Sequence, residues 1–391
     1  MTRTLVDNIG LLVTNDPTID DTPLGVIQNA AFLVEGGVIT WVGESSASPR
    51  SDVANSIDAQ GRCVIPGFVD SHSHLIFAGD RSDEFRSRMS GEKYSVGGIN
   101  YTVELTRQAG NGQLLQSARR LVAEANASGT TTIECKSGYG LTVEDEARSL
   151  VVAKQITEET TFLGAHAVPK EFKNSADDYV DLVCGPMLDA ARPNAKWIDV
   201  FCDKGAFTSA QARRILKAGM ARGLMPRLHA NQLEPGEGVQ LGVELGAASV
   251  DHLSYLSDSD IFALSESNTV ATLLPAAEFS TRGNYPDARR LFEAGVKVAL
   301  ASDCNPGTSY TTNMPFVIAL AVRDMHFSPE QALWASTKGG AEALHRKDIG
   351  HLRVSARADF SILSTPSFVH FAYRPGVPLI DEVWRNGTRI K

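Results

Sequence analysis

Pro66-Gly67-Phe68-Val69-Asp70-Ser71-His72-Ser73-His74 is an apolar run that ends in two histidines spaced i, i+2. Such positions share one face of a strand. The two imidazoles therefore project side by side from a strand end, a geometry suited to a divalent metal. A His-x-His pair by itself is also what two solvated surface histidines would look like. The reading turns on what the rest of the chain brings to the same place.

Strand-like runs at 68–72, 130–136, 161–166, 197–203, 225–230, 248–252, 269–274 and 297–303 alternate with amphipathic stretches such as 113–127, 144–157, 209–222, 236–245 and 287–293. Eight strands separated by helices predict parallel βαβ units closed into a (β/α)₈ TIM barrel. An open doubly wound sheet is the competing topology, but no Gly-x-Gly-x-x-Gly follows any of these strands. In a barrel of this kind the reactive groups gather at the C-terminal strand ends. Those ends carry His72 and His74, Lys136 leading to Tyr139, His166, Cys202 and Asp203, His229, His252, and Asp303. Five of the nine histidines fall there, which a random surface distribution would rarely produce.

Outside this region the texture changes. Glu35-Gly36-Gly37 between apolar residues is a hairpin signal, and short strand-like runs return at 359–363 and 382–387. These ends predict a small β-sandwich-like domain from both termini, 1–62 plus 345–391, around a barrel at 63–344.

With 391 residues, 43% apolar and 21% charged, the chain has the composition of a globular enzyme of more than one domain. Its 46 acidic against 37 basic residues leave a formal charge of −9, which argues against a nucleic-acid surface. The five cysteines are scattered, with no Cys-x-x-Cys pair and no disulfide framework. Neither a signal-peptide core nor a membrane-length apolar run is present. A reducing cytoplasm is the expected compartment, and a homodimer the default assembly.

Three imidazoles and a carboxylate, His72, His74, His229 and Asp303, form a nitrogen–oxygen set for one metal ion, Zn or Fe, with Mn also compatible. A metal there brings the pKa of water down towards about 7. Asp303 can take the water's proton and later deliver it to a leaving nitrogen. The same aspartate opens Asp-Cys-Asn-Pro-Gly, a run rich in turn residues, and a tight turn is a good way to hold a ligand. His252 reads as an acid–base or carbonyl-polarising group, with a backbone-bonded core histidine as the alternative. Lys136, as a carbamate, would bridge two metals, but its place on strand two favours a single ion.

Taken together, these residues resemble the amidohydrolase superfamily, in which strand one supplies His-x-His, strands five and six histidines and strand eight aspartate. The stretches at 66–81, 134–141, 162–169 and 301–308, with Gly97-Gly98-Ile99 and Thr102-Val103, narrow the resemblance to its branch that opens a cyclic amide in histidine breakdown. That resemblance implies metal at His72, His74, His229 and Asp303. It also implies substrate contacts from Arg81, Tyr139, His166, Gln232, Asn305, Gly307 and Thr308. The implied reaction is hydrolysis of 4-imidazolone-5-propanoate to N-formimidoyl-L-glutamate. Arg81 would hold the propionate bidentately, although beside Asp80 and Asp83 it also reads as a solvated loop charge.

Some members of the superfamily carry glutamate where this chain has Gln232. A neutral amide cannot accept a proton, so Gln232 would orient the substrate while His252 and Asp303 move protons. The long segment 79–112 is expected to form a partial lid. Two other functions compete: a ring deaminase, which the missing strand-five glutamate disfavours, and a barrel that binds without catalysis, which the intact ligand positions disfavour.

Overall fold

The computed structural model describes residues 3–91 and 98–391. The chain divides into two compact units, one of Met1–Asp70, Ala123–Thr132 and Asn313–Lys391, the other of Ser71–Val122 and Ile133–Thr312.

In the first unit the two termini share one sheet. Arg3–Val13 lies between Val26–Glu35 and Cys63–Pro66, and Asn55–Asp58 also pairs with it. Phe360–Leu363 runs antiparallel to Cys63–Pro66, and Ile380–Arg385 adds beyond it. The C-terminal strands thus extend the N-terminal sheet edge to edge. The hairpin at Glu35 is present: Gly36 and Gly37 take φ of 58° and 82°, the left-handed pair that a two-residue turn requires. One face buries Val6, Ile9, Leu12, Phe32, Val64, Phe360 and Ile362 in a shared apolar cluster. In the same unit Phe68–Asp70 pairs with the strand that begins at Thr130, its first amide donating to the Gly129 carbonyl at 2.9 Å.

The second unit carries the parallel sheet. Its order is Val298–Leu300, Val270–Leu273, Ser249–His252, Leu228–Ala230, Trp197–Cys202, Thr160–Ala165 and Cys135–Lys136, each neighbour parallel to the next. Residues 71–74 close it. Lys136 donates its amide to the Ser73 carbonyl at 2.9 Å, Asp303 to that of His72 at 3.0 Å, and His74 to that of Cys304 at 2.9 Å. The two edges are joined, and the sheet is a (β/α)₈ barrel.

Strand one was expected to run through His72, but it ends at Asp70. The histidines lie on the extended closing segment, where both neighbours hold the backbone. Strands two and five are each broken in two, at Glu134 and Arg227, whose charged side chains are fully buried.

Helices fill the intervals as the apolar spacing predicts, among them Asn111–Ala127, Val143–Ala153 and Ser209–Met220. Thr142 and Thr208 cap the latter two, Thr208 in a full capping box with Gln211. Among its described residues, the segment expected as a lid includes the helices Ser82–Met89 and Ile99–Gln108; Gly97 of its glycine pair lies outside them.

Candidate metal centre and its pocket

The strand ends of the second unit bring His72, His74, His229, His252 and Asp303 together. The Nε2 of His74 lies 3.3 Å from that of His72 and 3.4 Å from that of His229. Asp303 Oδ1 is 3.5 Å from both His72 Nε2 and His74 Nε2. His72 and His229 also fall in a second triad with His252, all buried.

The tautomers follow from what holds the other ring nitrogens. His72 Nδ1–H donates to Asp251 at 2.7 Å and His229 Nδ1–H to Asp199 at 3.0 Å. Their Nε2 atoms therefore carry lone pairs. Burial pushes His72 and His74 far below the ordinary histidine range, so both rings are neutral. Lone pairs packed this closely repel one another unless a cation lies among them, and the nitrogen and oxygen donors are those that Zn²⁺ or Fe²⁺ accepts. The residues present fit a single metal ion.

The carboxylates behind the histidines are themselves braced. Lys136 is not free for a second metal: its ammonium sits 3.1 Å from Glu134 and 3.0 Å from Asp199. Glu134 also accepts the Ser73 amide at 3.0 Å and the Thr161 hydroxyl, which locks the segment between the two histidines. Arg227 lies 3.5 Å from Asp251. Glu134, Lys136, Asp199, Arg227 and Asp251 are fully buried, and buried charges persist only when paired in this way. The sequence reading missed Glu134, Asp199, Arg227 and Asp251. Charged residues inside otherwise apolar strands were the available signal.

Backbone strain marks the same place. Asp303 has φ 52° and His252 φ 82°, left-handed values that side chains of this size seldom adopt. At Asp303 a tight turn imposes it. Asn305 Oδ1 accepts the amides of Gly307 and Thr308 at 2.8 Å each, and its Nδ2 donates to the Asp303 carbonyl at 2.6 Å and the Thr308 hydroxyl at 2.8 Å. Thr308 in turn donates to Asp303 Oδ2 at 3.2 Å. His252 Nδ1 has no hydrogen-bond partner among the described residues, unlike a histidine bonded into a core.

A cavity opens over this cluster. Arg81, Tyr139, His166, Gln232, Asn305 and Thr308 all line it, with His74, His252 and Asp303. Gly307 is not on that wall; its carbonyl accepts from Arg88 at 2.6 Å, and the Arg81 guanidinium packs so closely on it that a Cβ would meet Nη1 at 2.3 Å. Arg81 is only 4% exposed, so it is no solvated loop charge. Glu84 grips it through two hydrogen bonds of 2.7 and 2.8 Å.

The ring of His166 stacks on His74 at 5.2 Å, and its Nδ1 donates to the Gly138 carbonyl at 3.0 Å. Burial pushes its pKa down to about 3, which leaves Nε2 an acceptor. Gln232 is half-buried, its loop pinned by Asp203, which accepts the amides of Gln232 and Leu233 at 2.6 and 3.0 Å.

A barrel whose strand ends assemble a His₃Asp donor set beside a polar pocket defines a class of metal-dependent hydrolases. Residues 63–391 match the amidohydrolase family, to which the chain belongs. Its relatives are more specific. The chain is 64% identical over 390 residues to an imidazolonepropionase of Mycolicibacterium smegmatis, covering 100% of this chain and 98% of that one. Among solved structures, a triazine hydrolase from Arthrobacter aurescens superposes with a TM-score of 0.78 at 17% identity, over 100% of this chain and 95% of that one. A zinc-bound adenosine deaminase from Xanthomonas campestris gives 0.71 at 18% identity, over 99% and 92%.

Proposed function

We propose that this chain hydrolyses the cyclic amide of 4-imidazolone-5-propanoate to N-formimidoyl-L-glutamate. The observation that carries the reading is Arg81: a buried guanidinium on the wall of the cavity that the metal-ligand cluster also lines. A net acidic protein meets a small anion there, and the ring is left over the metal cluster. The relative named imidazolonepropionase, at 64% identity, supports the same substrate.

His72, His74, His229 and Asp303 would hold one Zn or Fe ion. When bound, that ion supplies Lewis acidity and lowers the pKa of water towards about 7. Asp303 takes a proton from the attacking water, whose oxygen bonds to the ring carbonyl carbon. His252 polarises the carbonyl oxygen, and its unpartnered Nδ1 and strained backbone support that role. The ring C–N bond breaks, and Asp303 returns the proton to nitrogen. His166 and Tyr139 pack the ring, and Gln232 orients it as a neutral hydrogen-bonding group. Thr308 keeps Asp303 in place, while Asn305 and Gly307 shape the turn and the seat of Arg81. The five free thiols support a reducing cytoplasm as the setting.

The test is turnover by the purified, metal-replete chain. Loss of imidazolone-propanoate ultraviolet absorbance with appearance of N-formimidoyl-L-glutamate is the expected result. No loss there, together with ammonia release from an aminopurine or aminopyrimidine, would move the chain to the deaminases.

A further inference from the structure

A second cavity shares Gln232 with the metal pocket. Ser254, Tyr255, Thr281 and Asn284 line it beside Leu233 and Gly283, and its one carboxyl group is Glu278. Glu278 stands on the helix Pro275–Thr281, directly after strand seven, and is only 3% exposed. Ser254, two residues beyond His252, donates to its Oε1 at 2.6 Å. The other oxygen, Oε2, is buried and has no partner among the described residues. A buried carboxyl oxygen on the wall of a cavity, with no protein partner, can accept a hydrogen bond from a donor that enters there.

The proposed reaction supplies such a group. The imidazolone ring is uncharged. Water gives its oxygen to the carbonyl carbon, the C–N bond breaks, and the freed nitrogen keeps the electron pair and takes one proton. The new carboxylic acid ionises, and its proton goes to the amidine, a base strong enough to hold it at neutral pH. The product thus carries one carboxylate and one amidinium that the substrate lacked. Arg81 accounts for the propionate, and the metal cluster faces the new carboxylate. In the first cavity Gln232 is an uncharged amide and the one carboxyl group, Asp303, would be held as a metal ligand, so neither is a free counter-charge for the cation.

We propose that Glu278 is the counter-charge for this amidinium, and that the cavity it shares with Gln232 receives the formimidoyl arm as the ring opens. The proposal rests on the reaction put forward above. Burial pushes the Glu278 carboxyl up to about 7, so it ionises readily once a cation comes opposite it.

The experiment compares two ligands by calorimetry on the metal-loaded chain: N-formimidoyl-L-glutamate, and N-formyl-L-glutamate, which puts an uncharged oxygen where the amidine has nitrogen. The wild type should prefer the formimidoyl compound by about tenfold or more, and the isosteric Glu278→Gln should reduce that preference to near one. The KM for the uncharged ring should change less than about twofold, while kcat falls. A preference that survives in Glu278→Gln overturns the proposal, as does equal weakening of both ligands, which is what a merely structural role would produce. A wild type without the preference overturns it with no variant needed. If that wild type still opens the imidazolone, only the role of Glu278 has failed; if it does not, the reaction itself has.

Discussion

Glu278 keeps a carboxyl buried on the wall of the second cavity, with one oxygen bonded to Ser254. Its carboxyl rises from the ordinary 4.5 to about 7 because burial disfavours the charged form. The folded state thus holds the proton more tightly than the unfolded chain does. The stabilisation from the protonated form is complete below pH 4.5 and is lost as pH rises through 7. Above that the charged group remains as a fixed penalty on the order of 3 kcal/mol. Glu278→Gln removes this dependence. Urea unfolding of the metal-loaded proteins should show the variant gaining stability over wild type as pH goes from 5 to 8; a difference that is flat with pH would contradict the burial argument. Residues of this kind were not legible in the sequence. Glu278 lies in Pro-Ala-Ala-Glu-Phe, which reads as an ordinary amphipathic turn, and only the packing of Ser254 over it shows that it is buried. The histidines were legible because each lies near or just beyond the end of a strand that its apolar residues define.

Among the elements, the turn from Asp303 to Thr308 does the most positioning. One side chain, Asn305, makes four hydrogen bonds within it and holds Asp303 at a left-handed φ. Asn305→Ala should therefore lower stability by about 2–4 kcal/mol in urea unfolding, and weaken metal retention in competition with a chelator by about tenfold or more as Asp303 loosens. Unchanged metal retention would mean that the turn does not govern the ligand. The turn chemistry of Asp-Cys-Asn-Pro-Gly was readable, and so was the place of Asp303 at its start. The exact end of strand one was not. The alternation of side chains continues past Asp70 as Ser-His-Ser-His, but there the chain leaves regular pairing for the closing segment 71–74, which is bonded to residues 136, 303 and 304. Contacts of such long sequence separation leave no local pattern.

At the scale of the whole molecule, the parallel sheet of the second unit closes on the segment that bears the His-x-His pair, so forming the barrel and forming the ligand cluster are one event. Alternating strands and helices made the barrel legible, and the order of the histidines along it made their gathering at the strand ends legible. The charges beneath were not legible as a network, because pairing Lys136 with Asp199 and Arg227 with Asp251 depends on which strands lie side by side. That network also argues for one ion, since the lysine that would carry a bridging carbamate is spent on Glu134 and Asp199. The central claim is therefore a single metal on which hydrolysis depends. The direct test is to strip the chain with a chelator and titrate Zn²⁺ or Fe²⁺ back while following imidazolone-propanoate absorbance. The account predicts no turnover without metal and a linear rise that breaks at one equivalent per chain. A break at two equivalents, or full turnover by the stripped protein, would contradict it.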